Sequence, residues 1–309
     1  MAEKLDLEAK KISEGPTLSD MPIGVIHEIV DNLEGMKRLV LRKVCRKLRD
    51  FMDNKDPGIR KISVEVSEEP PHCLDIDDCC ISYDISGDGC TVQAFGGSNK
   101  YIEKVPLIGI LDDLAVILKN PKLRLNLLEV SAFEEQRAIL KAFGEISSML
   151  HTKRITLEGF EPCDFISMLS YFKPGILGEI NIENLSNFTD TTQVCDLFEL
   201  EQWKQAKSIS IISKKHFNFP IEHLFHLSRF QVNWMRLSVD DAIKIRDVIM
   251  KSSHFESGMI LAEYEIEPEV VRVFDPNYNE AGNFDLVKCE IEKFLVKIYG
   301  KSLIIKKID

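Results

Sequence analysis

No stretch of the 309 residues approaches the roughly 18 consecutive apolar residues that span a bilayer. The N-terminus lacks the continuous apolar core of a secretory signal. It runs Met1-Ala2-Glu3-Lys4-Leu5-Asp6 and then through mixed charges to Lys11. The expected location is therefore cytoplasm or nucleus. There the eight cysteines stay as thiols, and the sequons at Asn184 and Asn187 carry no glycan. Basic residues are in deficit: 39 Lys and Arg face 50 Asp and Glu, a net charge of −11. That balance argues against general nucleic-acid binding and against a polybasic membrane anchor. No Walker sequence occurs. Gly87-x-Gly89 is followed by no helix, so it reads as a hairpin turn and not a dinucleotide loop. What is present, 44% apolar and 29% charged residues, is globular composition, and the length suits about two domains.

Residues 1–16 are polar, close on Gly15-Pro16, and read as a flexible tail. From Leu18 the pattern changes. Pro22, Ile26, Ile29 and Leu33 share one helix face, with Ser19 and Asp20 placed to cap the helix start and Gly35 placed to end it. A second helical set follows at Leu41, Val44, Cys45, Leu48, Phe51 and Met52, ended by Asp56-Pro57-Gly58. Two short amphipathic helices bury little surface alone, so the module needs a partner chain or the following domain to cover its apolar faces. Ile62, Val64 and Val66 alternate as a strand, and Ile81–Ile85 and Cys90–Ala94 flank a glycine turn as a hairpin.

From residue 107 a repeat emerges. A helical stretch over 107–119 precedes strand-like sets at Leu125/Leu128/Val130/Phe133, Thr152/Ile155/Leu157/Phe160, Leu177/Ile180/Ile182/Leu185 and Ala206/Ile209/Ile211. Their starts are 27, 25 and 29 residues apart. Helix-like segments lie between them at 134–150, 161–172, 192–203 and 239–252, with weaker units near Phe230–Trp234 and Met259–Tyr264. A strand and a helix every 20–29 residues is the period of a leucine-rich-repeat solenoid, although the Asn expected after each strand is absent or displaced. Residues 288–308, turning at Gly300-Lys301, read as a capping hairpin.

The stretch Thr17-Leu18-Ser19-Asp20-Met21-Pro22 through Leu33, then Leu41-Arg42-Lys43-Val44-Cys45-Arg46-Lys47-Leu48-Arg49, resembles an F-box, with Met21 at a usual leucine and Leu48 at a usual tryptophan. The remainder is similar to the FTH-type domain that follows the F-box in a large nematode family, the F-box A proteins. This likeness is carried by Leu118–Leu123, Phe172-Lys173-Pro174-Gly175, Leu200–Lys207 and Lys251–Phe255. The resemblance implies a tail over 1–16, an F-box module over 17–55 and a leucine-rich-repeat-like domain over 60–309 that selects substrates. It implies a non-catalytic adaptor of an SCF-type ubiquitin ligase, bound to a Skp-type adaptor and through it to a cullin, with no cofactor. An alternative is a scaffold that uses the F-box without promoting degradation. By position, the matching adaptor-binding residues are Leu18, Pro22, Ile26, Ile29, Leu33, Val44, Cys45 and Leu48. A short helical unit with surplus apolar surface also suits helix-in-groove binding on physical grounds.

Other groups of residues admit competing readings. Residues 37–49 hold seven basic residues and no acid, a local +7 that leaves −18 elsewhere. A DNA-reading helix-turn-helix is one reading of this run; a solvated face or the steering of an acidic partner is another. Cys73, Cys79, Cys80 and Cys90 crowd beside His72, yet no Cys-x2-Cys pair is present. Cys79 and Cys80 are adjacent and point to opposite faces of a strand, which favours buried structural thiols over zinc. Asp75-x-Asp77-Asp78 fails as a calcium loop, with Cys80 at the glycine position and Ser86 at the final glutamate position. His216, His223 and His226 sit among apolar residues and read as packing, and Cys163 or Cys195 with a distant His has no protease signature around it. In the repeat, the outward residues of successive strands are Glu129, Thr156, Asn181 and Ser210, flanked by Leu127, Arg154, Glu179 and Ser208 on one side and Ser131, Glu158, Glu183 and Ile212 on the other. This sheet face, with Glu158 and Glu183 adding acid, is the expected substrate surface, for a polar or basic partner segment.

Overall fold

The computed structural model describes residues 21–94, 97, 99–185, 196–213, 219–249, 251–279 and 286–308. Three helices come first: α1 (Ile23–Asp31), α2 (Gly35–Arg42) and α3 (Arg46–Asp53). The sequence pattern predicts two helices here. The chain instead breaks at Lys43–Cys45, with Cys45 fully extended ahead of α3. Gly35 does not stop a helix but opens α2. It is buried, and a Cβ there would lie 2.8 Å from Ile59 Cγ1, so its role is close approach.

A mixed sheet of fourteen strands follows among the described residues: β1 (Lys61–Val66), β2 (His72–Ile76), β3 (Cys79–Ser86), β4 (Gly89–Ala94), β5 (Lys100–Ile102), β6 (Leu125–Ala132), β7 (Thr152–Glu158), β8 (Glu179–Leu185), β9 (Ser208–Ser213), β10 (Arg229–Trp234), β11 (Ser257–Ala262), β12 (Val287–Ile291), β13 (Phe294–Tyr299) and β14 (Ser302–Lys307). The spatial order is β12-β13-β14-β11-β10-β9-β8-β7-β6-β1-β2-β3-β4-β5. Strands β1 and β6–β11 pair in parallel, and antiparallel strands close each end. The terminal cap has three strands where the pattern predicts two, turning at Gly300 with φ of 49°. Strand β2 escapes the sequence pattern because Pro70-Pro71 masks its beginning.

The helices α4 (Pro106–Leu118), α5 (Gln136–Gly144), α6 (Pro162–Leu169), α7 (Glu201–Lys204), α8 (Val239–Lys244, continued by a π turn to Ile249) and α9 (Pro268–Phe274) alternate with strands. Pro at the start of α4, α6 and α9 suits the first turn, where its missing N–H is not needed. Ser238 and Asp241 form a capping box on α8. One sheet face is a continuous apolar row system. Ile62, Leu128, Ile155, Ile180, Ile209 and Phe230 are register neighbours, as are Val64, Val130, Leu157, Ile182, Ile211 and Val232. All are buried, in one core with the apolar faces of the helices. Buried side-chain amides bond turn carbonyls at differing offsets from the strands. Buried Gln136 donates to the carbonyls of Ala132, Phe133 and Gly159, Gln202 to Phe172 O, and Asn233 to Ser213 O. Each satisfies turn carbonyls that would otherwise be buried unpaired.

Candidate functional site

The helical module has its own small core. Ile26, Val30, Leu48 and Met52 are buried together, bordered by Met21, Leu41, Cys45 and Phe51. Met36 and Leu39, on the other side of α2, pack onto the large core. Arg38 fixes this junction. Its Nε donates to Leu33 O at 2.8 Å, Nη1 to Asp56 O at 3.2 Å and Nη2 to Asp31 O at 3.3 Å. Arg42 makes a forked pair with Asp53 at 2.6 and 3.0 Å, which raises its own proton affinity. Asn120 Nδ2 donates to Lys55 O, tying the end of α4 to the module.

Of the eight expected adaptor-binding positions, Leu18 lies outside the described residues, as do Ser19, Asp20 and the 1–16 tail. Pro22 is exposed, Ile29, Leu33 and Cys45 are half-buried, and Val44 is 60% exposed. Ile26 and Leu48, at 1% exposure, close the module's own core instead of presenting a surface. Val25 at 43% and Val40 at 61% are exposed apolar residues that the helical period did not single out. The basic run is less free than its charge suggests. Arg38 and Arg42 are half-buried and engaged as above, and Lys37 pairs with Glu34. Lys43, Arg46 and Arg49 are exposed with no ion-pair partner among the described residues.

No element among the described residues covers the other sheet face. Ser63, Glu129, Thr156, Asn181, Ser210, Gln231, Met259 and Ile304 form its middle row in strict register, every one half-buried. On its N-terminal side run Lys61, Leu127, Arg154, Glu179 and Ser208, and on its C-terminal side Glu65, Ser131, Glu158, Glu183 and Ile212. The spacing-predicted rows are thus the observed ones. Charge is distributed unevenly between them. Glu129 is paired by Lys61 at 2.8 Å and Glu179 by Arg154 at 2.7 Å. Glu158 and Glu183 face each other in register with no cation on either among the described residues. Among the described residues Glu158 accepts from Ser131 Oγ at 3.0 Å and Asn184 Nδ2 at 2.7 Å. Like charges directly opposite each other destabilise a sheet. Beside them lies a shallow depression lined by Glu65, Ser67, Glu68, Glu69 and the half-exposed ring of Phe133.

The cysteine cluster divides between faces. Only Cys90 is buried; Cys73 and Cys79 are half-buried and Cys80 is exposed, so four buried thiols is corrected to one. The neighbouring Asp75 carboxylate pushes the Cys80 thiol up to about 12, while burial first and then Glu65 and Asp75 raise Cys73. His223 stacks on Phe198 at 3.7 Å and His226 Nε2 contacts Trp203 O at 3.0 Å, so neither is free to hold a metal with the other. His216 and Cys195 lie outside the described residues. Exposed Glu161 and Cys163 meet half-buried Asp164 at the start of α6. Among the described residues no helix is long and apolar enough to cross a membrane.

The chain thus combines a small helical module carrying exposed apolar residues with a strand–helix body that presents a polar sheet face. The F-box domain family matches residues 18–60 and the FTH domain family matches residues 136–277. F-box A protein 224 of Caenorhabditis elegans is 31% identical over 283 residues, covering 86% of this chain and 72% of that protein. No solved structure matches. The chain is an F-box protein with an FTH domain, and it belongs to the F-box A proteins. F-box domains in general bind Skp-type adaptors in SCF-type complexes, and both families are generally non-catalytic adaptors.

Proposed function

We propose that this chain is a substrate-recognition subunit of an SCF-type ubiquitin ligase, active in the cytoplasm or nucleus. The helical module docks a Skp-type adaptor and, through it, a cullin. The observation that carries this part is the exposure of Val25, Val40 and Val44 around a module whose core is already closed. Apolar side chains in water on such a unit suit insertion into a partner's groove. The body then holds the target near the ubiquitin-transfer machinery, which accelerates transfer by proximity. The repeated strand–helix body supports a leucine-rich-repeat-like reading, in which the open face over Glu129, Thr156, Glu158, Asn181, Glu183 and Ser210 is the target surface. The Glu158–Glu183 row, without a cation among the described residues, favours a target segment rich in Lys or Arg, which would relieve that repulsion.

The test co-expresses the full chain with a Skp-type adaptor. The wild-type chain is expected to co-purify with it. Val40→Asp with Val44→Asp is expected to abolish the complex without lowering the melting temperature, because both sites are exposed. Retained binding by this variant refutes the assigned face, and failure of the wild-type chain to bind refutes the ligase reading. Glu158→Lys with Glu183→Lys is expected to release a bound target while the adaptor stays bound. Capture without altered turnover of the captured protein supports the scaffold alternative.

A further inference from the structure

The sheet order ends at β12, and among the described residues β13 is the one strand that pairs with it. The outer edge of β12 has no described strand beside it, and such an edge is a template for another strand. The opposite end of the sheet offers less, because β5 has only three residues. The core-facing row is also incomplete at β12. Phe294, Val296 and Ile298 of β13 are fully buried, while their register neighbours Ile291, Cys289 and Val287 pack on the core but stay half-buried. The alternate residues, Lys288 and Glu290, are exposed on the open face. Lys288 lies directly opposite Lys297 of β13, and neither has an ion-pair partner among the described residues. Like charges placed so repel. The edge therefore lacks a strand with apolar residues at alternate positions and an acid opposite Lys288.

We propose that a second copy of this chain supplies that strand, with β12 pairing antiparallel to its own counterpart about Cys289. The sequence Val287-Lys288-Cys289-Glu290-Ile291 is complementary to itself when reversed. In this register Val287 meets the second copy's Ile291, Lys288 meets the second copy's Glu290, and Cys289 meets its own counterpart. Opposed residues of an antiparallel pair share a face. The apolar row therefore runs on from one core into the other, and on the open face each lysine gains an acid. That acid also offsets the repulsion between Lys288 and Lys297. A lone lysine on an edge strand guards against association. Here Glu290, two residues on, reverses the effect for one register. A slip by one residue turns the apolar row to the wrong face, and a slip by two sets Lys288 or Glu290 against itself. The contact is isologous and closes at two copies. Five residues a side make a small interface, of the weak and reversible class.

The experiment follows sedimentation of the full-length chain across concentration under reducing conditions. The wild-type chain is expected to be monomeric at about 1 µM and largely dimeric at about 100 µM, as suits a weak interface. Lys288→Glu and Glu290→Lys are each expected to weaken self-association by about tenfold or more, because each sets two like-charge pairs into the contact. Both sites are exposed, so neither melting temperature should fall. Mixed in equal amounts, these two variants are expected to dimerise with each other. The double variant, Lys288→Glu with Glu290→Lys, is expected to dimerise with itself as the wild type does. A wild-type chain that stays monomeric at every concentration overturns the proposal. Unchanged self-association in both single variants, or a mixture of them that does not associate, overturns it as well.

Discussion

Arg38 gives the sharpest test of how the module and body are joined. Its guanidinium reaches three backbone carbonyls, from the loop after α1, the last turn of α1 and the segment leading into β1. The bonds to Leu33 O and Asp56 O are partly shielded, whereas that to Asp31 O is exposed and long. A hydrogen bond from a charged donor is worth about 1.5–3 kcal/mol net. Counting the two shielded bonds and discounting the third, Arg38→Ala is expected to weaken the junction by about 2–4 kcal/mol. Arg38→Lys is expected to recover little of this, since a single ammonium cannot reproduce a planar fork spread over three acceptors. Amide hydrogen exchange is the direct assay: protection over residues 31–60 should fall in both variants while the central strands keep theirs. Urea unfolding followed by intrinsic fluorescence adds the global value. Both tryptophans, Trp203 and Trp234, report on the body, so an early transition seen only by exchange identifies the module opening separately. A loss below about 0.5 kcal/mol in Arg38→Ala, with unchanged exchange, refutes the clamp.

Two further outcomes test the body. Gly258 stands opposite Phe230 in the apolar row, and a Cβ there would lie 2.5 Å from the ring. Gly258→Ala is expected to cost about 1–3 kcal/mol by overpacking, and adding Phe230→Leu should recover part of that in thermal melts. Burial pushes the proton affinity of His72 and His226 down. The unfolded chain therefore binds protons that the folded chain does not as pH falls below about 6.5, so stability should drop between pH 7.5 and 5.5. His72→Asn should flatten part of that slope, and equal melting temperatures across the window would contradict the buried assignment.

The parallel strands were legible because the core demands an apolar residue at every second position, and Leu128, Ile155, Ile180 and Ile209 repeat at nearly constant intervals. Their register fixed the open-face rows as well. The module was legible in extent but not in detail. The spacing of Leu41, Val44 and Leu48 fits one helix, and no breaker marks the turn at Lys43–Cys45, where packing of Leu48 against Ile26 overrides local propensity. For the same reason Ile26 and Leu48 look like contact residues in a linear pattern, although a three-helix unit needs them inside. The turn amides were not legible because Gln136, Gln202 and Asn233 sit at different offsets from their strands. The cysteines were legible only as a crowd; which of them share a face depends on the β2–β3 register, set by a strand that the Pro70-Pro71 break concealed.

The position of β1 has a consequence in time. It is made before the hairpins that flank one of its edges, yet its other neighbour, β6, lies about 60 residues further along, or roughly 3–12 s of synthesis at 5–20 residues/s. During that interval the β6-facing edge of β1 has no strand beside it. The nascent chain thus passes through a stage in which the module and an antiparallel sheet exist without the parallel array. At that stage the sticky edge is the very strand on which the rest of the body is later laid down.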